Sequence, residues 1–222
     1  MLAIETSTDI CSVAIINQTG RVFEKRTSGP GVHSEYTVQF VQELMERLPI
    51  TWDELDGVLF SGGPGSYTGL RIGASAIKGM LFGRDIPLYT FPTLLSFLFG
   101  FNPLPATGTF HGVLDARRTH VYMQTCELAD HAVISTTPPE ILDLSEAEER
   151  IKPQHYIAGT GLERLSLPVM KDENRRGVDH ISARNLLLAW NHPAFRGYFT
   201  EVDPAGFTPH YVTMAQVNNT QL

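Results

Sequence analysis

The spacing of apolar residues in the first half of the chain alternates between strand and helix patterns. Two runs rich in β-branched residues begin at Leu2 and Cys11, and the polar turn between them predicts a hairpin. The next predicted elements are a helix over Ser34–Leu48, a strand at Gly57–Phe60, a helix over Thr68–Leu81, a strand at Pro87–Thr90 and a helix after Thr93. Such alternation is typical of an α/β domain.

The second half continues this alternation less regularly. Asn102–Pro105 contains two prolines and predicts a linker, so the sequence predicts domains at residues 1–104 and 105–222. The elements predicted beyond the linker are a long hairpin over Thr109–Glu127, a helix at Ser145–Ile151, a strand at His155–Ala158 and a helix at Ser182–Trp190. Strands interleaved with helices predict mixed or parallel sheets with helices on their faces.

The helix predicted over Ser34–Leu48 has an unusually wide apolar surface. Tyr36, Phe40 and Leu44 form one row, and a second row that begins at Val38 runs beside it. A helix packed once on a sheet needs a stripe about 100° wide, which two rows exceed. The next helix is rich in Gly and Ala, which allow a neighbouring backbone to come close. The pattern fits two well-buried helices, and it also fits a partner surface built from both.

Composition narrows the class of protein. The formal charge is −7 over 222 residues, which argues against a nucleic-acid-binding surface, because phosphate binding uses clustered Lys and Arg. Cys11 and Cys126 lie far apart, so a disulfide framework or structural zinc site is not expected. The first residues lack a positively charged segment and no apolar run approaches about eighteen residues. A cytoplasmic protein that does not contact a membrane is therefore expected.

The segment Gly62–Gly73 holds five glycines and a proline directly after an apolar strand. A helix start presents free N–H groups, so one interpretation is a phosphate-binding loop. However, a Walker A loop needs Lys where Leu70 stands, and the fingerprint G-x-G-x-x-G is not matched. The other interpretation is a structural turn with close helix packing, in which the Pro64-Gly65 step predicts a type II turn with positive φ at Gly65.

The whole string S-G-G-P-G-S-Y-T-G-L-R-I-G at residues 61–73 resembles the signature of the bacterial TsaB (YeaZ) family. The opening strand and turn from Leu2 to Thr8 resemble those of actin-like domains. Further matches follow in the family's order: Asp115–Tyr122 resembles its D-A-R-x-x-x-V-Y hairpin, Gly159–Gly161 its G-T-G turn, and Pro209–Tyr211 the start of its P-x-Y-L-R. Val212 and Thr213 depart from that last motif, so no role is carried over to them.

The resemblance implies an α/β, actin-like (ASKHA / RNase H-like) two-domain fold, with mixed sheets flanked by helices and a smaller or degenerate second subdomain. It also implies a scaffold or activating subunit without catalytic residues. Such a subunit pairs with a TsaD-like enzyme for threonylcarbamoylation (t6A) of adenosine 37 in tRNAs reading ANN codons. Family members pair through their helices, with themselves as a homodimer or with TsaD. The partner complex is expected to include a TsaE-like ATPase and to bind ATP or ADP and metal. The subunit is expected to contact tRNA only indirectly, through this complex.

Two groups of residues are assigned to the site on this basis. The partner interface is expected at Tyr36, Val38, Phe40, Val41, Met45, Gly69, Gly73, Ile77 and Met80. A loop near the nucleotide site of the fold is expected at Glu5, Thr6, Ser7, Gly63, Gly65, Ser66, Thr68 and Arg71. In nucleotide-binding relatives a glycine-rich turn wraps the phosphates, whereas Thr6–Ile10 contain no glycine, so tight ATP binding is not expected.

Two alternatives come from other classes: a stand-alone actin-like ATPase or kinase, and a homodimeric interaction protein. The catalytic relative holds a metal with an H-x-x-x-H pair on a helix, but no two of the eight histidines here are four residues apart. His33 is predicted to be a surface or capping side chain. Asp115 and Arg117 are either an active pair or the contact that holds a tight hairpin.

Overall fold

The computed structural model describes residues 1–167 and 169–210. The strands are β1 (Leu2–Glu5), β2 (Ile10–Ile16), β3 (Val22–Ser28), β4 (Val58–Ser61), β5 (Leu88–Phe91), β6 (Gly108–Asp115), β7 (His120–Ala129), β8 (Ala132–Thr136), β9 (Glu140–Asp143), β10 (Tyr156–Ala158), β11 (Arg175–Arg176) and β12 (Thr200–Val202). The α-helices are α1 (Val32–Arg47), α2 (Tyr67–Leu81), α3 (Thr93–Ser96), α4 (Leu144–Arg150) and α5 (Ala183–Asn191). Tyr211, the last residue of the Pro209–Tyr211 match, lies outside the described residues, as do Val212 and Thr213, which depart from that motif.

Residues 1–93 form one compact unit with the segment that begins at Ser182. Its sheet has the strand order β12-β5-β4-β1-β2-β3. The central strand β1 pairs antiparallel with β2 and parallel with β4. The sheet is therefore mixed, as the sequence pattern predicts.

A hydrophobic core lies between this sheet and the helices α1 and α2. Leu2 and Ile4 of β1 contribute to it because alternate residues of a strand point to the same face. Leu44 of α1 and both Leu70 and Ile77 of α2 are fully buried in the same cluster. The inner sides of both helices are thus fixed on the sheet, and their outer sides stay available.

The helix α5 belongs to the first unit and corrects the predicted domain boundary. Its first residue, Ala183, donates its N–H to Ser12 Oγ at 2.8 Å. Ser12 and Ser182 in turn donate their hydroxyls to Glu24 Oε1 at 2.6 and 2.5 Å. These hydrogen bonds join the returning chain to β2 and β3, so the first unit runs to Thr93 rather than residue 104 and resumes at Ser182.

Leu94–Ile181 form a second unit around another sheet. Its strand order is β11-β10-β6-β7-β8, and β9 also pairs with β7. The hairpin predicted over Thr109–Glu127 is present as β6 and β7. The predicted linker, Asn102–Pro105, lies inside this unit, because the preceding Phe101 is buried with its ring 6.2 Å from that of Phe110.

Candidate functional site

The glycine-rich loop after β4 uses its N–H groups within the chain. Gly62 donates to Phe91 O at 2.8 Å, and Gly63 donates to Thr93 Oγ1 at 3.1 Å. Ser66 donates its N–H at 2.6 Å to a carbonyl of the turn between β1 and β2, and its hydroxyl caps the start of α2. A phosphate cradle needs such N–H groups free and convergent. Here they join neighbouring strands and turns instead.

Three glycines bring the start of α2 against the turn between β1 and β2. A Cβ atom on Gly69 would lie 2.2 Å from Thr6 O, and one on Gly73 would lie 2.3 Å from Thr6 Oγ1. A Cβ atom on Gly65 would lie 2.5 Å from Ser7 O. Because this contact leaves no room even for a methyl group, a phosphate does not fit between the turn and α2.

Glu5 lies buried at the end of β1, next to this contact. Its side chain is 1% exposed, and its carboxylate accepts hydrogen bonds from Ser7 N at 2.6 Å and from the Ser61 hydroxyl. Burial raises the pKa of Glu5, while these hydrogen bonds act in the opposite direction. A carboxyl group enclosed in this way does not reach a substrate in solvent, so Glu5 closes the strand end as a structural residue.

His33 fastens α1 to the same turn, whereas the sequence predicts a surface or capping side chain. The residue is 9% exposed, and its Nε2 lies 2.8 Å from Thr8 O. Burial lowers the pKa of His33, so we assign the neutral ring, with Nε2–H donating to that carbonyl. The turn is held by His33 of α1 on one side and by the glycines of α2 on the other. This arrangement fixes the position of α1 relative to α2.

Replacing Gly65 by valine is expected to destabilise the first unit by about 1–3 kcal/mol. The prediction of positive φ at Gly65 is wrong, because the left-handed residue of this loop is Gly63, with φ of 111°. Gly65 is needed for space, since a larger side chain must displace the backbone of Ser7. Urea denaturation of the Gly65→Val protein measures the loss, and an unchanged midpoint would contradict the close contact.

The outer sides of α1 and α2 carry two surface cavities, each lined by both helices. The first has a volume of about 530 Å³ and lies at the N-terminal turns, where Ser34, Tyr67 and Ile72 line it. The second has a volume of about 890 Å³ and extends from the middle of α1 to the C-terminal turns of both helices, where Val38 and Met80 are among the residues that line it. We call the surface formed by these five residues the α1–α2 face.

Apolar side chains on and beside the α1–α2 face are unusually exposed. Tyr67 is 58% exposed, Val38 is 40% exposed, and Phe82, directly after α2, is 85% exposed. Thr68 and Arg71 are exposed at the first cavity and give it a polar rim. Large apolar side chains grouped on one pair of helices with a polar edge are typical of a protein-binding surface.

Five of the predicted interface residues lie inside the first unit. Val41 and Ile77 have no exposed area, and Phe40 is 8% exposed. Gly69 and Gly73 face the turn between β1 and β2. The sequence prediction is corrected at these positions, because the inner row of each helix is covered by the chain's own sheet and turn.

The remaining predicted interface residues reach the outer surface to different degrees. Val38 and Met80 lie on the α1–α2 face, and Met45 lines the second cavity although it is mostly buried. Tyr36 is half-buried, and its ring lies 5.2 Å from that of Phe40. These four positions stay predicted interface residues.

Sequence reasoning missed two apolar residues of α2 that lie on the α1–α2 face, Tyr67 and Ile72. The sequence feature that could have identified them is the row of small residues in α2. Because Gly69 and Gly73 mark the side that touches the chain itself, apolar residues away from that row are the candidates for an outer surface.

The contact around Asp115 supports a hairpin and not an active pair. Its Oδ1 accepts hydrogen bonds from the N–H of Arg117 at 2.8 Å and from Arg164 Nη1 at 2.6 Å. The side-chain partner of Asp115 is therefore Arg164, which the sequence motif does not include.

Histidines, cysteines and carboxylates do not gather into a metal centre in the part of the chain that the structure describes. His111 Nε2 and His155 Nδ1 lie 2.8 Å apart and share a hydrogen bond. Burial lowers the pKa of His111 to about 3, so this ring is neutral near pH 7. Within residues 1–167 and 169–210, no helix has the length and apolar character needed to cross a bilayer.

Comparison with known proteins finds similarity in both sequence and fold. The family model "TsaD: tRNA N6-adenosine threonylcarbamoyltransferase" matches residues 30–172. The tRNA threonylcarbamoyladenosine biosynthesis protein TsaB of Haemophilus influenzae is 29% identical over 122 residues, which are 55% of this chain and 51% of that protein. The protein of the same name from Escherichia coli is 26% identical over 167 residues, which are 72% of this chain and 71% of that protein.

Among solved structures, YeaZ from Pseudomonas aeruginosa matches with a TM-score of 0.73 and 24% identity. The match covers 95% of this chain and 98% of the other. The similarity confirms the predicted α/β, actin-like fold with mixed sheets flanked by helices.

Proposed function

We propose that this chain, which belongs to the TsaD family of tRNA N6-adenosine threonylcarbamoyltransferases, is a TsaB-type subunit without catalytic activity of its own. It pairs with a TsaD-like enzyme and supports threonylcarbamoylation of adenosine 37 in tRNAs reading ANN codons. The names of its curated relatives place those proteins in t6A biosynthesis. The observation that carries the proposal is the exposed apolar α1–α2 face. We call the turn between β1 and β2 the closed turn, because its contact with α2 leaves no room for a phosphate.

The closed turn supports a non-catalytic role. Glu5 is enclosed by its own hydrogen bonds, and Gly65 and Gly69 occupy the space beside the turn. An ATPase or kinase of this fold needs that space for phosphates, so the stand-alone enzyme is the weaker candidate. ATP or ADP and metal are accordingly assigned to the complex, with no cofactor in this chain.

The α1–α2 face supports a protein partner. Tyr67, Val38 and Phe82 expose apolar area that an interface would remove from water. The partner we assign to this face is the TsaD-like subunit, and a second copy of the chain competes for the same face as a homodimer. A TsaE-like ATPase joins the assembled complex, and the assembly works in the cytoplasm.

The test compares the isolated chain with the reconstituted assembly. We expect no ATP hydrolysis and no transfer to tRNA by the isolated chain, but formation of t6A when it is added to the TsaD-like enzyme and the ATPase. Mass spectrometry of digested tRNA measures the product, and a nucleotide-binding assay on the isolated chain discriminates the ATPase alternative. Turnover by the isolated chain that disappears in the Glu5→Ala protein would overturn the proposal.

A further inference from the structure

The turn that joins β6 to β7 holds two consecutive arginines in left-handed backbone. The φ angles are 68° at Arg117 and 53° at Arg118. Asn and Gly adopt such angles far more readily than Arg, and Asn-Gly is the favoured pair where two consecutive positive φ angles are needed. The conformation does not account for arginine at either position, so the guanidinium groups need another explanation.

Acidic groups around this turn are already engaged by other residues. Arg164 donates to Asp115 Oδ1 at 2.6 Å, and its second amino group donates to the carbonyl of Arg118. Asp143 Oδ1 lies 3.2 Å from His120 Nε2. Asp115 and Asp143 therefore have nearer partners than the guanidinium groups of the two turn arginines, and Arg164 holds the turn in place.

The guanidinium groups of Arg117 and Arg118 make no hydrogen bond or ion pair with any part of the chain that the structure describes. Both residues are exposed. In a chain with a formal charge of −7, two adjacent and unneutralised arginines create a small patch of positive surface potential. They contrast with Arg164, which is paired, and with Arg176, which stacks on Phe101 at 4.6 Å.

We propose that the Arg117–Arg118 turn contacts the phosphate backbone of tRNA in the assembled complex. The inference rests on the proposed function, which supplies tRNA as the polyanion. It goes beyond the expectation that the chain reaches tRNA only through its partners. A planar guanidinium matches phosphate oxygens with paired hydrogen bonds, and its fixed fork loses less entropy for each hydrogen bond it forms than a flexible ammonium group does. Contacts of this kind position the RNA without selecting its sequence.

The test uses the double variant Arg117→Asn/Arg118→Gly in the full chain, assembled with the TsaD-like enzyme. Because Asn and Gly suit left-handed backbone, we expect the melting temperature to stay equal or rise by about 2–6 °C. We expect the dissociation constant for tRNA to rise about tenfold. Each lost phosphate contact should also reduce the slope of log K against log salt by about 1.

The control variant Lys171→Ala/Arg175→Ala removes the same number of exposed cations near β11, and we expect it to leave tRNA affinity and the salt slope unchanged. Light scattering on each assembly checks subunit pairing separately. Normal pairing with unchanged tRNA affinity in the double variant would overturn the inference alone. Absence of pairing in the wild type would overturn the proposed function and the inference with it. The affinity of each assembly for a polyglutamate peptide is measured as well. If the double variant loses affinity for this peptide but keeps its affinity for tRNA, the turn binds an acidic protein and the RNA contact is overturned.

Discussion

Ile72→Glu, and separately Val38→Glu, should abolish pairing through the α1–α2 face while the monomer stays folded. Both side chains line the surface cavities, so the new carboxylate is solvated in the monomer and buried without a partner in the complex. A desolvated, unpaired charge costs several kcal/mol, which raises the dissociation constant about a thousandfold or more. Light scattering after size-exclusion chromatography measures pairing, and circular dichroism on the same sample measures folding.

The chain offers a matched control for this charge. Ile134 of β8 is 68% exposed in the second unit, so Ile134→Glu introduces the same change at an exposed isoleucine outside the face. It should leave both pairing and t6A formation at the wild-type level. A folded Ile72→Glu protein that still dimerises, still binds the TsaD-like enzyme and still supports modification would mean that the α1–α2 face is not the interface.

The second large effect concerns the inner side of α2, where a single methyl group should strongly destabilise the first unit. Gly69→Ala places a Cβ atom 2.2 Å from the backbone oxygen of Thr6, which no side-chain rotation relieves. We expect a loss of about 3 kcal/mol in the free energy of unfolding, although alanine favours helix by about 1 kcal/mol over glycine. Urea denaturation with a fixed slope measures the change.

Gly79 provides the opposite case on the same helix. A Cβ atom there meets nothing within 4 Å, so Gly79→Ala should stabilise the protein by about 0.5–1 kcal/mol. Equal midpoints for the two alanine variants would show that Gly69 does not touch the turn. For the same reason Gly73→Glu should unfold the domain rather than separate it from a partner, because its Cβ would meet both Thr6 and Phe60.

The sequence predicts β1, β2, β4, β5, α1 and α2 of the first unit, because short apolar strands and helices with wide apolar rows leave strong patterns, but it misses β3 and β12. It does not tell which apolar row of a helix meets the chain's own sheet. Val38 and Val41 look alike in the sequence, yet Val38 is 40% exposed and Val41 has no exposed area. The choice depends on how α1 is rotated on the sheet, and the contact of His33 with Thr8, distant in sequence, helps to set that rotation.

The glycine string shows a similar limit. Its residues predict a tight loop before a helix, and that loop is present between β4 and α2. Whether its N–H groups are free for an anion depends on Phe91 and Thr93, which come from a later strand and helix. The return of Ser182 to the first unit is likewise a contact between distant residues, so no local pattern marks it.

The split first unit sets an order of events during protein synthesis. The ribosome completes α1 and α2 early, but the residues that join α5 to β2 and β3 emerge only after the whole second unit. At about 5–20 residues per second, this interval lasts roughly 4–18 s. During it the sheet beneath α1 and α2 lacks its edge strand β12 and the contact with α5, while the α1–α2 face is already exposed. A nascent chain thus exposes the proposed interface before β12 and α5 have joined the first unit, and assembly before release from the ribosome would capture an incomplete subunit.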